Sequence, residues 1–202
     1  MTVHGLTVGP LQENTYLLVG EDARGVIVDP GDEAERILRE VERVGLKPEA
    51  ILLTHGHFDH VGAIEGLKHL NLSVYLHPQD LALYTMAAES AGRWGIPLAQ
   101  PTAPTLPLEP GQRLEFGLGL EVLFVPGHSP GHVAFYTPGH LIGGDVLFKG
   151  GIGRYDLPSS NAQDLMASLQ RLMQLPPETV VYPGHGPRTT IGEERRSNPY
   201  LQ

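Results

Sequence analysis

The stretch THGHFDHVGAI, residues 54–64, decides the predicted fold because it gathers three histidines and one aspartate around a single turn. The apolar run EAILLT (residues 49–54) leads into it and is typical of a buried strand. Apolar side chains then recur at helical spacing behind the cluster, at Val61, Ile64 and Leu67. The cluster is therefore predicted to occupy a strand-to-helix turn.

Three further predicted strands also end on histidine or aspartate. They are followed by PGHSPGH after Val125, GGD after Ile142 and YPGHG after Val181. Glycines flank every candidate, and glycine allows the tight turns and close backbone approach that a ligand shell needs. The four turns together predict a metal site built from nitrogen and oxygen ligands.

The spacing within the first cluster predicts two metal ions rather than one. His55 and His57 point the same way in an extended backbone, so both can reach one ion, whereas Asp59 and His60 belong to the next turn. Each centre then needs one more imidazole and a bridging ligand. The later turns supply these groups in His128, His185 and Asp145.

Length and composition exclude several classes of protein. At 202 residues with 41% hydrophobic side chains, the chain can bury a full core and is expected to form one domain, and no apolar run is long enough to span a membrane. Cysteine is absent, which excludes disulfides, thiolate ligands and a cysteine nucleophile. The net charge of -9 and the lack of a basic run argue against a nucleic-acid partner. No secretory signal is recognisable, so a cytoplasmic location is expected.

Strands and helices follow each other in two successive halves, separated by the proline-rich connector at residues 95–111. Strands are predicted at 15–19, 26–29, 49–54, 72–77, 120–125, 132–137, 140–145 and 179–183. Helices are predicted from an Asp32/Glu35 cap to Gly45, at about 79–88, at 162–173, and after a Thr190/Glu193 cap. Two β-rich halves that each continue into helices predict an α+β protein arranged as an αββα sandwich.

The ordered set HxHxDH, PGHSPGH, GGD and YPGHG resembles the metallo-β-lactamase superfamily, and the resemblance extends from Val8 to Tyr200. It implies a four-layer αββα sandwich for residues 1–202 and two divalent metal ions, Zn²⁺ first, with Fe or Mn also compatible with N/O ligands. It assigns His55, His57 and His128 to one ion, Asp59, His60 and His185 to the other, and Asp145 to both. Its early VIVDPG motif makes Asp29 a group that orients a ligand, while His132 is expected to brace the loop of His128.

The resemblance also implies hydrolysis by attack of a hydroxide that bridges the two ions, with Asp59 orienting the nucleophile and taking its proton. The segment GDVLFKGGIGRYDLP (residues 144–158) resembles the glyoxalase II branch, the hydroxyacylglutathione hydrolases. It implies a small anionic thioester as substrate, held by Arg154 with Tyr155 and Lys149 nearby.

No counterpart of the C-terminal helical domain of full-length glyoxalase II is expected, and the chain resembles the compact single-domain hydrolases. Its pocket is then either shallow or completed by another subunit of a homo-oligomer.

Two other activities fit the same motifs. A persulfide dioxygenase has a similar GxGRxD turn but uses a single Fe(II) to activate oxygen, and a lactonase or small-ester hydrolase shares the nucleophile with a different pocket. A purely structural metal protein is disfavoured, because structural sites are usually closed and mononuclear.

Overall fold

Two six-stranded sheets form the centre of the computed structural model, which describes residues 1–202. The first sheet has the order β1-β2-β3-β4-β5-β6. Its strands are β1 (Thr2–Val8), β2 (Glu13–Val19), β3 (Arg24–Val28), β4 (Lys47–Leu52), β5 (Ser73–Leu76) and β6 (Thr105–Pro107). Strands β1 to β3 pair antiparallel, whereas β3 to β6 pair parallel.

The second sheet has the order β14-β13-β10-β9-β8-β7 and is antiparallel except for the pair β10 and β13. Its strands are β7 (Arg113–Leu114), β8 (Leu120–Phe124), β9 (Val133–Thr137), β10 (His140–Gly144), β13 (Val180–Pro183) and β14 (Thr189–Thr190). A separate two-stranded hairpin is formed by β11 (Leu147–Phe148) and β12 (Gly151–Ile152).

The α-helices cover the outer faces of the two sheets. They are α1 (Ala34–Val44), α2 (Phe58–Val61), α3 (Ile64–Leu67), α4 (Leu81–Thr85), α5 (Ala87–Arg93), α6 (Ala162–Leu172) and α7 (Ile191–Ser197). Short 3₁₀ turns occur at Glu21–Ala23, Lys68–Leu70 and Pro78–Asp80. None of the helices has both the length and the apolar character that crossing a membrane requires.

Three hydrophobic layers show why these elements stack. In β3, Val26 and Val28 belong to the layer between the sheets, whereas Ile27 points to the opposite face and packs in the layer that contains Ile37 of α1. This alternation follows from the two-residue period of a strand. The third layer joins the second sheet to α6 through buried residues such as Leu169. Helix, sheet, sheet and helix therefore follow in order, and the predicted αββα sandwich is confirmed.

The helix termini agree with the sequence at two places and differ at two others. Helix α6 lies within one residue of its predicted bounds, and the Thr190 hydroxyl caps α7 by accepting from the Glu193 amide at 3.1 Å. The predicted Asp32/Glu35 cap of α1 is wrong. Glu33 occupies the N-cap position with a φ of +53°, and Asp32 instead accepts from the Glu33 amide.

The helix predicted at 79–88 is the second difference. It is divided into a 3₁₀ turn, α4 and α5, with a break at Met86, and it continues to Arg93. The hydrophobic pattern detected the helical segment but not its break.

The ligand-bearing turns all follow the carboxyl ends of strands. The first histidine cluster follows β4, and the other three turns follow β8, β10 and β13. Within the second sheet, β8 and β10 are each antiparallel to β9, and β10 is parallel to β13, so these three strands run in one direction. Their carboxyl ends therefore meet at one edge of the sandwich.

Candidate metal centre

The first group of ligands is formed by His55, His57 and His128, whose ring nitrogens lie within 4.8 Å of one another. His55 follows β4, His57 precedes the first turn of α2, and His128 comes from the turn after β8. The Nδ1 atom of His57 lies 3.0 Å from Nε2 of His128. Three imidazoles from two turns thus converge on one point, as the sequence predicts.

The second group is formed by Asp59, His60 and His185, again with potential ligand atoms within 4.8 Å of one another. Asp59 and His60 lie in the first turn of α2, whereas His185 follows β13. Oδ2 of Asp59 lies 3.2 Å from Nε2 of His185 and 3.9 Å from Nε2 of His60. This group combines a carboxylate with two imidazoles.

Asp145 lies between the two groups. Its Oδ2 atom is 3.5 Å from Nε2 of His128 in the first group and 3.6 Å from Nε2 of His185 in the second. Its Oδ1 atom is 3.6 Å from Nε2 of His60. One carboxylate is therefore within reach of both groups, which is the position predicted for a bridging ligand.

Hydrogen bonds on the far side of the rings orient three of the imidazoles. His60 presents Nδ1 to Asp29 Oδ2 at 3.1 Å, His128 presents Nδ1 to the Arg154 carbonyl at 2.9 Å, and His185 presents Nδ1 to the Leu11 carbonyl at 3.1 Å. Carbonyls only accept, so the Nδ1 atoms of His128 and His185 must donate. Each ring then keeps an Nε2 lone pair that faces the centre.

Asp29 fixes the first cluster from behind. Its Oδ1 atom accepts from the Thr54 amide at 2.7 Å, and its Oδ2 atom accepts from the Thr54 hydroxyl at 2.6 Å as well as facing His60. The Thr54 hydroxyl also lies 3.0 Å from Nδ1 of His55. Asp29 therefore lies in the predicted position and reaches ligands of both groups, one of them through Thr54.

Unsatisfied buried atoms indicate that the site is built for metal. Nε2 of His55, Nε2 of His60 and Oδ1 of Asp145 are all buried without a hydrogen-bond partner in the protein. Buried polar atoms normally have partners, and an ion is one explanation when several face a common point. Imidazole nitrogen and carboxylate oxygen are suitable ligands for Zn²⁺ and for iron. The residues present thus fit a divalent metal centre.

Gly184 leaves the space that the centre occupies. A Cβ atom at this position would lie 2.1 Å from Oδ1 of Asp145 and 2.7 Å from a ring carbon of His60. Any other residue would therefore force two predicted ligands apart. This requirement explains the glycine that precedes His185 in YPGHG.

The two groups differ in their electrostatics. Burial, followed by the neighbouring His60 ring, holds the pKa of His55 well below its usual value, and burial lowers the pKa of His57 to about 3. Burial alone would also lower the pKa of His60, but the carboxylates of Asp145 and Asp59 outweigh it and raise that pKa. His55 and His57 are therefore neutral at pH 7, whereas protons and metal compete for His60.

Asp80 is a supporting residue that the sequence did not reveal. It is fully buried at the start of α4, and its Oδ2 atom accepts from the Gly56 amide at 2.9 Å and from the Ser129 hydroxyl at 2.6 Å. Its Oδ1 atom accepts from the Gly131 amide at 2.5 Å. Asp80 thus ties the His55–His57 turn to the turn that carries His128. In the sequence it is indistinguishable from an ordinary acidic residue at a helix start.

Strand β2 supports the turn of His185 in a similar way. The Asn14 side-chain amide donates to the carbonyls of Pro183 at 3.1 Å and Gly186 at 2.8 Å, and the Tyr16 hydroxyl donates to Pro183 at 2.7 Å. These contacts span more than 160 residues, so no local pattern could have revealed them.

His132 supports Asp145 more directly than it supports His128. Its Nε2 atom accepts from the Asp145 amide at 3.0 Å, and its ring stacks on His55 with centroids 4.9 Å apart. It is absent from both ligand groups. The contact of His132 is thus with Asp145, whereas the sequence predicts a bracing role toward the loop of His128.

A groove of about 650 Å³ opens onto the centre, and His57, Asp59, His128, Asp145 and His185 all line it. Arg154 is the one predicted substrate residue that also lines this groove, and its guanidinium pairs bidentately with Asp156 at 2.9 Å.

The other two predicted substrate residues lie elsewhere. Tyr155 is 48% exposed and faces a separate depression, and Lys149 pairs with Glu193 at 3.2 Å. Neither side chain lines the groove. The sequence placed them beside Arg154, but the hairpin of β11 and β12 turns Lys149 toward α7 instead.

Comparison with known proteins identifies the family. The family model described as the metallo-beta-lactamase superfamily matches residues 8–185. The hydroxyacylglutathione hydrolase GloC of Haemophilus influenzae is 38% identical over 100% of this chain and 98% of its own length.

Two solved structures extend the comparison. The di-iron-bound form of TTHA1623 is 54% identical with a TM-score of 0.93, covering 98% of this chain and 100% of that chain. The BLEG-1 B3 metallo-beta-lactamase is 38% identical with a TM-score of 0.90, covering 100% of both chains. With the family match spanning most of the sequence and the full-length likeness to these relatives, the chain belongs to the metallo-β-lactamase superfamily.

Proposed function

We propose that this member of the superfamily is a binuclear metal-dependent hydrolase of thioesters, of the S-2-hydroxyacylglutathione type. The observation that carries the proposal is the pair of ligand groups that share Asp145. A structural site has no need of a second group, a bridging carboxylate and an open groove beside them. The likeness to a hydroxyacylglutathione hydrolase supports the thioester as substrate class.

Zn²⁺ is the ion proposed for both groups, and iron is the alternative because the similar protein TTHA1623 is known in a di-iron-bound form. His55, His57 and His128 would hold one ion, Asp59, His60 and His185 the other, and Asp145 both. Two such ions would supply a water molecule activated at neutral pH and would polarise the substrate carbonyl.

Asp59 is the residue proposed to handle the proton. Burial would raise the pKa of Asp59, but the His60 and His185 rings outweigh it and hold the pKa below the usual value, so the carboxylate is ionised at pH 7. Asp59 lines the groove, which gives it access to both substrate and water. It can orient the attacking water and accept its proton. A thiolate with a pKa near 8.5 can leave with little acid assistance.

Arg154 is proposed to hold an anionic end of the substrate. Its backbone carbonyl accepts from the ring of His128, so its position is coupled to the metal centre. The side chain already pairs with Asp156, and an incoming carboxylate must compete with that partner. Arg154 is thus expected to contribute modestly to binding, since exposed ion pairs are worth little.

Turnover measured after metal removal and defined reloading tests the proposal. Protein reloaded with two equivalents of Zn²⁺ is expected to hydrolyse S-lactoylglutathione, and metal-free protein is expected to be inactive. Oxygen consumption with glutathione persulfide, at one iron per chain and without thioester hydrolysis, would assign the protein to the dioxygenases instead. Hydrolysis of lactones but not of thioesters would contradict the proposed substrate class, while the proposal of a metal-dependent hydrolase would stand.

A further inference from the structure

The groove beside the metal centre has an apolar wall formed by Phe58, Leu83, Met86 and Trp94. Phe58 stands between the predicted ligands His57 and Asp59 in the chain, and the other three come from α4, the break after it and the end of α5. The rings of Phe58 and Trp94 lie 6.4 Å apart, centroid to centroid. The wall therefore begins at the metal centre and extends outward from it.

The wall is uncovered by the chain itself. Trp94 is 60% exposed and Met86 is 42% exposed, and both face the groove. Single exposed apolar residues are common, but a contiguous apolar surface beside a reactive centre usually marks a ligand site. The wall thus offers apolar surface to a bound molecule.

No unpaired cation accompanies this apolar surface. The groove contains two arginines, and both are neutralised within the chain. Arg93 pairs with Glu89 at 2.6 Å, and Arg154 pairs with Asp156 at 2.9 Å. The part of the substrate that touches the wall is therefore expected to be uncharged.

We propose that this wall binds the acyl group of the thioester, and that acyl groups with an apolar chain longer than that of a lactoyl group are preferred. The proposal rests on the proposed function and names the substrate class more closely. Both the acyl chain and the sulfur are attached to the reacting carbon, so both begin at the metal centre, and Phe58 and Arg154 both line the groove there. Because Arg154 is the residue proposed to hold the anionic end of the thiol part, the wall is left for the acyl chain.

In the reaction the water oxygen forms the new bond to the acyl carbon and the carbon–sulfur bond breaks. The sulfur leaves with the bonding electrons. Asp59 takes one proton of the water and releases it to solvent, and the thiolate takes a proton from solvent. The products are a carboxylic acid and a thiol.

A series of acyl thioesters on one neutral thiol, N-acetylcysteamine, measures the contribution of the wall to turnover. For the Zn²⁺-loaded protein, kcat/KM is expected to rise on the order of threefold for each added methylene between acetyl and hexanoyl, because each buried methylene leaves water. Trp94→Ala is expected to flatten this rise. Leu106→Ala removes a side chain that is 44% exposed and outside the groove, and it is expected to keep the rise.

Tryptophan fluorescence provides a readout that needs neither metal nor hydrolysis. Trp94 is the single tryptophan of the chain, so its emission reports on the wall alone. An S-hexyl thioether of N-acetylcysteamine, which cannot be hydrolysed, is expected to shift the emission to the blue, whereas the S-methyl thioether is expected to leave it unchanged. Equal responses to both thioethers, or no response, would overturn the proposal.

The outcomes separate failure of this inference from failure of the proposed function. Thioester hydrolysis without dependence on acyl length would overturn the inference and leave the function standing. An emission shift with the S-hexyl thioether alone, in a protein that hydrolyses no thioester, would support binding of an apolar ligand at the wall. It would overturn thioester hydrolysis as the function. A shift that depends on protein concentration, with dissociation of a dimer in Trp94→Ala, would show that a second copy covers the wall and would overturn the inference.

Discussion

The metal centre and the apolar wall lie side by side in one groove but are held very differently. Predicted ligands such as His60 and His128 are buried and fixed by a hydrogen bond on the far side of the ring. The wall residues Met86 and Trp94 are exposed, and their side chains make no hydrogen bond that would fix them. The difference teaches that the predicted ligands are held in place by backbone turns and by buried hydrogen bonds, whereas the proposed acyl wall consists of exposed side chains that can change at little structural cost.

The largest effect is expected from removing a ligand. His57→Ala leaves His128 without its imidazole neighbour and opens the first group, so activity should fall by more than about 100-fold, beyond the loss typical of a supporting residue. Steady-state hydrolysis and bound metal per chain measure the change. Retained activity would mean that the first group is not needed for the reaction.

A large effect is also expected at Asp80, which touches no predicted ligand side chain. In Asp80→Asn an amide group replaces one carboxylate oxygen, so at least one of the donors from Gly56, Ser129 and Gly131 loses its acceptor. Affinity for metal at the first group is expected to fall about 10- to 100-fold, as for other residues behind a metal ligand.

Competition with a metal chelator measures the affinity, with Asp164→Asn on the exposed start of α6 as the matched control. Unchanged affinity in Asp80→Asn would show that the two turns hold their positions without it.

A smaller loss is expected for His132. In His132→Ala the Asp145 amide loses its acceptor, and the ring stacked on His55 disappears, yet every predicted ligand remains. Activity should fall by about tenfold, less than in His57→Ala. Equal losses in the two variants, with the fold intact by circular dichroism, would place His132 among the ligands.

The smallest effect is expected at Arg154 on the rim of the groove. Arg154→Ala should raise KM for an anionic thioester about two- to fivefold more than for a neutral one, because the guanidinium is shared with Asp156 and faces solvent. Arg188→Ala, also exposed but outside the groove, serves as control. The same change in KM for both substrates would show that Arg154 does not bind the anionic end of the substrate.

The sequence predicted the layers and the converging turns because both depend on local patterns. The order of two β-rich halves that each continue into helices indicated the four layers, and glycine next to histidine at strand ends identified the turns. The resemblance to the hydroxyacylglutathione hydrolases, rather than a local pattern, pointed to Arg154, which lies in the groove.

The rest of the site depends on contacts between distant segments. Asp80 contacts Ser129, 49 positions away in the sequence, and Asn14 contacts Pro183, 169 positions away. Neither contact produces a local sequence pattern from which it could be predicted. Lys149 pairs with Glu193 rather than lining the groove, and this contact between distant segments was also not predictable from a local pattern. The apolar wall also escaped prediction, because Trp94 and Phe58 approach each other only after the chain has folded.

Metal titration of the metal-free protein, followed by calorimetry and checked by elemental analysis, tests the binuclear centre most directly. Two equivalents of Zn²⁺ per chain are expected, one in each ligand group, and the His57→Ala variant is expected to lose tight binding of one of them. A single equivalent in the unaltered protein, under conditions that give full activity, would contradict the account.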